Sequence, residues 1–223
     1  MLSVFRPIFV AGIIASLVAC GSDGSTSPTT PKSIQRVSAD SQSTAVGVAM
    51  AQPLVVEVLG GDGSPLVNAS VAWRVGDGGG TLSESSVLTD VSGHAQTTYT
   101  PGNAPGFAHV IATAGSVSSV FTLSLVAGAA TTLEKFGADN PAAVVGSTLT
   151  LSVKLVDQFG NGIAGATINW SVAGGTVASA TSTTDSAGVA SVAYTLGESA
   201  GTYSLTATFG ELAPVTFSLV GVG

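Results

Sequence analysis

The chain is short of charge, of cysteine and of basic residues. Only 9% of its 223 residues are charged, and six are Lys or Arg against 13 Asp or Glu. The net charge of −7 argues against nucleic acid, because phosphates are held by clustered Lys and Arg. One cysteine, Cys20, allows no intrachain disulfide, so the fold must hold by burial alone. Only two histidines, His94 and His109, are available to a metal or a proton transfer. No G-x-S-x-G context surrounds any serine, which removes the usual setting of a serine nucleophile. No acidic run has EF-hand or repeat-calcium spacing. No stretch keeps a helical period. What remains is 45% hydrophobic residues and 29 glycines, set among Ser and Thr. That is the make-up of strands and tight turns.

The first thirty residues read as an address. Met1 to Arg6 holds one positive side chain, and Pro7 to Ala19 is almost wholly apolar. Thirteen residues of helix reach roughly 20 Å, short of a ~30 Å hydrocarbon core. A cleaved signal is therefore expected over a spanning helix. Leu17-Val18-Ala19-Cys20 resembles the bacterial lipobox. That resemblance implies cleavage before Cys20, lipidation of its sulfur and attachment to a membrane, the outer one where there are two. An ordinary secretory signal with an incidental cysteine is the alternative. Gly21 to Pro31 contains no apolar residue and is read as a tether. The divisions are residues 1–19 as signal, 20–31 as lipidated cysteine and linker, and two domains over 32–128 and 129–223.

Those two domains follow from an internal repeat. Val56 to Trp73 and Val153 to Trp170 each hold an alternating apolar run, a Gly-rich turn, a second run and a tryptophan. Ile34 to Asp40 matches Leu133 to Asp139, and Val46-Gly47 matches Val145-Gly146. Thr89-Asp90 matches Thr184-Asp185, Tyr99-Thr100 matches Tyr194-Thr195, and Phe121 matches Phe217. A spacing near a hundred residues indicates tandem domains. In the second copy, seven strands are expected near 131–137, 148–156, 163–172, 175–184, 188–196, 201–209 and 213–221. Seven short alternating strands in one domain point to an all-β, immunoglobulin-like sandwich.

The second copy carries Asp157-Gln158-Phe159-Gly160-Asn161-Gly162, then Trp170, Gly174-Gly175, Thr184-Asp185, Gly188 and Tyr194. This order resembles the bacterial Ig-like group 1 domain of intimin- and invasin-type adhesins. The first copy departs at Gly60 to Pro65 and inserts two residues within Gly76 to Gly80. The resemblance implies two tandem Ig-like domains on the cell envelope, serving as a surface spacer or adhesion module. A protein or glycan ligand would be met through loops or sheet edges. A scaffold binding another envelope protein by strand addition is the alternative. The adhesins' membrane barrel and lectin-like tip are not in this sequence, so the fold transfers further than the adhesion does.

No catalytic residue, cofactor or metal is expected. Trp73 and Trp170 alternate in phase with Val71 and Ile168, so they read as core anchors rather than sugar platforms. Tyr99 and Tyr194 also point inward, with each hydroxyl on a backbone partner. His94 and His109 fall out of phase with the inward residues, and a metal pair would need carboxylates beside them. Asp90 and Asp185 read as turn residues. A calcium ion at the junction, through Asp139 or Asp157, is the remaining metal alternative. Phe159, at a turn tip, is expected at the domain junction, and Phe136 is expected to pack a sandwich edge as Val37 does. The segment from Val126 to Thr132 has no proline and little length, which predicts a semi-rigid rod.

Overall fold

A computed structural model describes residues 30–137 and 142–223. Both halves are β-sandwiches, and no sheet among the described residues takes strands from both. In the first, Ser33–Arg36, Leu54–Leu59 and His94–Thr97 form one sheet. The facing sheet runs in the order Ser43–Ala45, Val117–Val126, Gly106–Ala114, Ser70–Asp77, Ser86–Leu88. A small ribbon pairs Thr81–Leu82 with Tyr99–Thr100. In the second, Ala130–Phe136, Thr148–Asp157, Val189–Thr195 and Thr176–Val177 form one sheet. The other runs Ala142–Val144, Val215–Val222, Gly201–Thr208, Thr167–Ala173, Thr181–Thr183. The named pairings are antiparallel except two. Ser43–Ala45 and Ala142–Val144 each lie parallel to the last strand of their domain.

Strand alternation places the core. Leu54, Val56 and Val58 are fully buried while Val55 and Glu57 turn outward. Leu151, Val153 and Leu155 do the same in the second domain. Each domain closes its own apolar cluster, one around Tyr99, Phe121 and Leu123, the other around Tyr194, Phe217 and Leu219. Large side chains so buried contribute roughly 1.5–3 kcal/mol each, enough in number to replace a disulfide. Trp73 stacks on Phe121 with ring centroids 6.1 Å apart.

The strand expectations need three corrections. The run at 175–184 is two strands, Thr176–Val177 and Thr181–Thr183, on opposite sheets. The chain crosses between sheets at Ser179, whose hydroxyl donates to the Thr181 carbonyl at 2.7 Å. The run at 163–172 begins as a strand only at Thr167. Before it, Ile163 and Ala166 are held in a loop by the buried Thr184 hydroxyl. Ala142–Val144 was not anticipated, because three residues are too few to show a period. Only Ala127, Gly128 and Ala129 separate the last strand of the first domain from the first strand of the second.

Candidate functional site: the joint between the domains

The turn Asp157–Gly162 leaves the end of a buried strand and faces the first domain. Asp157 N–H donates to the Asn161 carbonyl at 3.0 Å, and Gly160 N–H donates to the Asp157 carbonyl at 3.1 Å. Gly160 takes φ +82°, a left-handed conformation that favours glycine. Closing the turn this way points several N–H groups at the Asp157 carboxylate. Oδ1 accepts from Phe159 N–H at 2.8 Å and Asn161 N–H at 3.0 Å. Oδ2 accepts from the Asn161 side-chain amide at 2.9 Å and from Gly128 N–H at 2.8 Å. The last donor belongs to the interdomain linker. Asp157 is only 2% exposed. Burial pushes its pKa up, but the Asn161 side chain and the three backbone amides outweigh that and hold it below the ordinary value.

Two further contacts cross the joint. Asn161 Nδ2 donates to the Asn103 carbonyl of the first domain at 2.7 Å. The Phe159 ring lies on Gly47, where an added Cβ would come within 2.9 Å of the ring edge. Gly47 has φ +71° and donates its N–H to the Gly102 carbonyl at 3.2 Å. A shallow apolar cleft beside these contacts is lined by Pro105, Val126, Ala127, Ile163 and Ala164. One turn thus grips the linker by charge, the neighbouring loop by an amide and the neighbouring strand end by a ring.

The first domain has the same turn without the grip. Gly60 N–H reaches the Ser64 carbonyl and Gly63 N–H the Gly60 carbonyl, repeating the backbone pattern of Asp157 to Asn161. Gly60, Asp62 and Ser64 stand where the second domain has Asp157, Phe159 and Asn161. Asp62 accepts only from Ser64, through its N–H at 3.0 Å and its hydroxyl at 2.7 Å. Among the described residues the carboxylate serves only its own turn.

The oxygens of Asp157 do not form a cation site, because N–H hydrogens are aimed at both of them. Asp139 lies outside the described residues. Among the described residues no group of three His, Cys, Asp or Glu side chains could hold a metal. The histidines lie on different sheets, His94 on His94–Thr97 beside Leu54–Leu59 and His109 on Gly106–Ala114 beside Ser70–Asp77. They form no pair. His109 Nδ1 instead meets both oxygens of Asp77, at 2.7 and 2.9 Å. Asp77 sits at a register shift within the inserted stretch, which swings it onto His109.

Trp73 and Trp170 are 3% and 5% exposed, leaving no indole face for a sugar. Trp170 Nε1 donates to the Ser182 hydroxyl at 2.8 Å. Trp73 Nε1 is buried and finds no partner among the described residues. Val87 faces Val71 as Ser182 faces Ile168, so the first copy has a methyl group where the second has a hydroxyl. Tyr194 donates to the Gly174 carbonyl at 2.7 Å, and Tyr99 to Gly79 at 2.5 Å. Burial raises both phenol pKa values, with the Asp77 charge adding for Tyr99 and Tyr203 for Tyr194. Both therefore stay protonated donors at neutral pH. Asp90 and Asp185 each accept two backbone N–H groups from their own turns.

Phe136 does not pack the sandwich edge. It is 51% exposed, and Val37 is 50% exposed. Both are one residue out of phase with the inward side of their strands. The inward position before each is a cation, Arg36 over the Phe121 ring at 6.0 Å and Lys135 over Phe217 at 5.4 Å. Leu17, Val18, Ala19 and Cys20 lie outside the described residues. No helix among those described is long and apolar enough to cross a membrane.

The pattern defining the bacterial Ig-like domain (group 1) matches residues 135–220. The second domain is a group 1 bacterial Ig-like domain. The chain's architecture is similar to that of FdeC, an Escherichia coli adhesin, with 19% identity and a TM-score of 0.54. That likeness covers 84% of this chain and 63% of that one. The D0-D1 domain of intimin matches with 19% identity over 86% of this chain and 99% of that chain, TM-score 0.36. InvE, a Yersinia pseudotuberculosis adhesin, matches with 14% identity over 86% and 58%, TM-score 0.38. No curated protein matches the chain in sequence. Likeness at this identity concerns the Ig-like fold. The first domain repeats the Ig-like plan of the second, including its parallel edge strand and its tyrosine-to-glycine bond.

Proposed function

We propose that the chain is a non-enzymatic envelope lipoprotein, anchored through Cys20, whose two Ig-like domains act as a surface spacer and adhesion module. The anchor rests on the lipobox-like Leu17-Val18-Ala19-Cys20, and the observation that carries the spacer reading is the joint. A linker of three residues is fixed by Asp157 on Gly128, Asn161 on Asn103 and Phe159 on Gly47. Such a joint suits a module that holds a surface away from a membrane, and it gives a catalytic site nothing. The eleven residues Gly21 to Pro31 reach at most about 40 Å when extended, so they would lift the pair clear of lipid headgroups. Several acyl chains on Cys20 would make a durable anchor. A protein or glycan ligand would be met by loops or the exposed outer faces of the sheets.

Mass spectrometry of the mature amino terminus tests the anchor. Acylated Cys20 is expected; an unmodified start at any other residue refutes it. Small-angle scattering tests the spacer. One elongated particle is expected, and two freely reorienting beads would refute it.

A further inference from the structure

The second domain carries, at its far end, the same surface that the first domain uses to receive Phe159. Val46 N–H bonds the Val126 carbonyl at 2.9 Å, and Val145 N–H bonds Val222 at 3.0 Å. Gly47 N–H reaches Gly102, and Gly146 N–H reaches Gly197 at 3.1 Å. The φ angles are +71° and +74°, and the adjoining strand ends pair in parallel in both domains. The backbone of the receiving surface is thus built twice. Its occupancy differs. Above Gly47 lies the Phe159 ring; above Gly146 no described residue comes within 4 Å of an added Cβ. Val144 and Val222, paired side by side, are 60% and 44% exposed around it. Tyr203 is the main departure. Its ring lies beside Gly197 and Gly221, and its hydroxyl donates to the Ser199 carbonyl. That adds an aromatic wall to the open side.

We infer that this end of the second domain is a docking site for a further Ig-like module bearing an Asp-x-Phe-Gly-Asn turn. The occupant is specified by what covers the equivalent surface in this same chain: a ring for the glycine, an amide for the carbonyl after Gly197, a carboxylate for a linker N–H. The first domain of a second copy does not qualify. Its turn offers Gly60, Asp62 and Ser64 in place of Asp157, Phe159 and Asn161, so head-to-tail stacking of identical chains lacks the ring and the clamp. The inference rests on the joint as the proposed spacer uses it.

The test extends the chain after Gly223 with a second copy of residues 128–223, keeping the native linker length because Gly223 stands where Ala127 does. Tethering makes the docking step intramolecular, so weak contacts still register. The Gly146 amide is then followed by NMR. Two Gly146 signals are expected: the outer one at its two-domain position, showing that the added module is folded, and the inner one moved by the ring current. The shift should match in size what Phe159→Ala removes at Gly47. Phe159→Ala in the added copy alone should return the inner signal to its starting place. Coincident Gly146 signals, with Gly47 still responding to Phe159→Ala in the original copy, would overturn this inference alone. A Gly47 signal indifferent to Phe159→Ala would overturn the joint itself.

Discussion

Replacing Asp157 separates the two jobs its carboxylate performs. In Asp157→Ala, four N–H groups lose their acceptor. A hydrogen bond to a charged group is worth about 1.5–3 kcal/mol net. The donors on Phe159 and Asn161 sit on a turn and regain water, so each should cost nearer 1 kcal/mol. Gly128 N–H is the one donor from the linker, and its loss should free the joint by about 1.5–2 kcal/mol, or roughly 10–30-fold in amide exchange. Asp157→Asn is the discriminating control. Its carbonyl can still serve the turn, but its NH2 would face Gly128 N–H, donor against donor. Gly128 exchange should accelerate about equally in both variants, while the Phe159 and Asn161 amides accelerate only in the alanine variant. Acid gives an independent reading. The carboxyl is depressed in the folded state, so its contribution is present above the ordinary 3.8 and is lost as pH falls through the lower folded value. Wild-type Gly128 protection should fade there, and Asp157→Asn should show no such step. Unchanged Gly128 exchange in both variants would reduce Asp157 to a turn residue and remove the basis for a fixed joint.

Four other outcomes follow from the same geometry. Phe159→Ala should loosen the joint with little effect on the melting of either domain, because the ring contacts Gly47 rather than either core; a large loss of thermal stability would contradict this. Ser182→Val should strand the Trp170 indole N–H and destabilise the second domain by about 1–2 kcal/mol, read by denaturant unfolding. Val87→Ser should give Trp73 the missing acceptor and leave the first domain unchanged or slightly more stable, an outcome that a simple loss of buried methyl groups would reverse. Tyr194→Phe should cost about 1 kcal/mol through the Gly174 carbonyl, with packing and near-ultraviolet circular dichroism otherwise kept.

Period-two alternation made the sandwich legible. It put Leu151, Val153 and Leu155 inward, and it carried Trp73 and Trp170 with the core. It failed where runs were short or the chain changed sheets, at Ala142–Val144 and between Val177 and Thr181. Neglect of strand phase misled about Phe136. Hydrophobicity suggested packing, but strand phase sets direction, and the inward place went to Lys135. The joint was half legible. A phenylalanine at a turn tip signalled a contact, whereas its receptor, Gly47, and the Asn103 carbonyl left no side-chain signal to read. Backbone acceptors and the space over a glycine appear only once the two domains are folded.

The differences between the copies are more informative than their likeness. Thr89 and Thr184, Tyr99 and Tyr194, and Asp90 and Asp185 make matching bonds in both domains. These bonds close each sandwich and would be needed wherever the domain stood in a chain. Asp157, Phe159 and Asn161 are replaced in the first domain by Gly60, Asp62 and Ser64, and each makes one contact that leaves the second domain. The turn backbone is the same in both copies, so the turn alone does not require those side chains. A carboxylate buried to 2% exposure for turn closure alone would be a costly choice when Gly60 closes the same turn without one. Among the described residues, a folded domain precedes the second copy, and all three side chains meet that domain or its linker. The joint they make accounts for them where turn closure alone does not, and it is the part of this molecule where sequence difference reports on use.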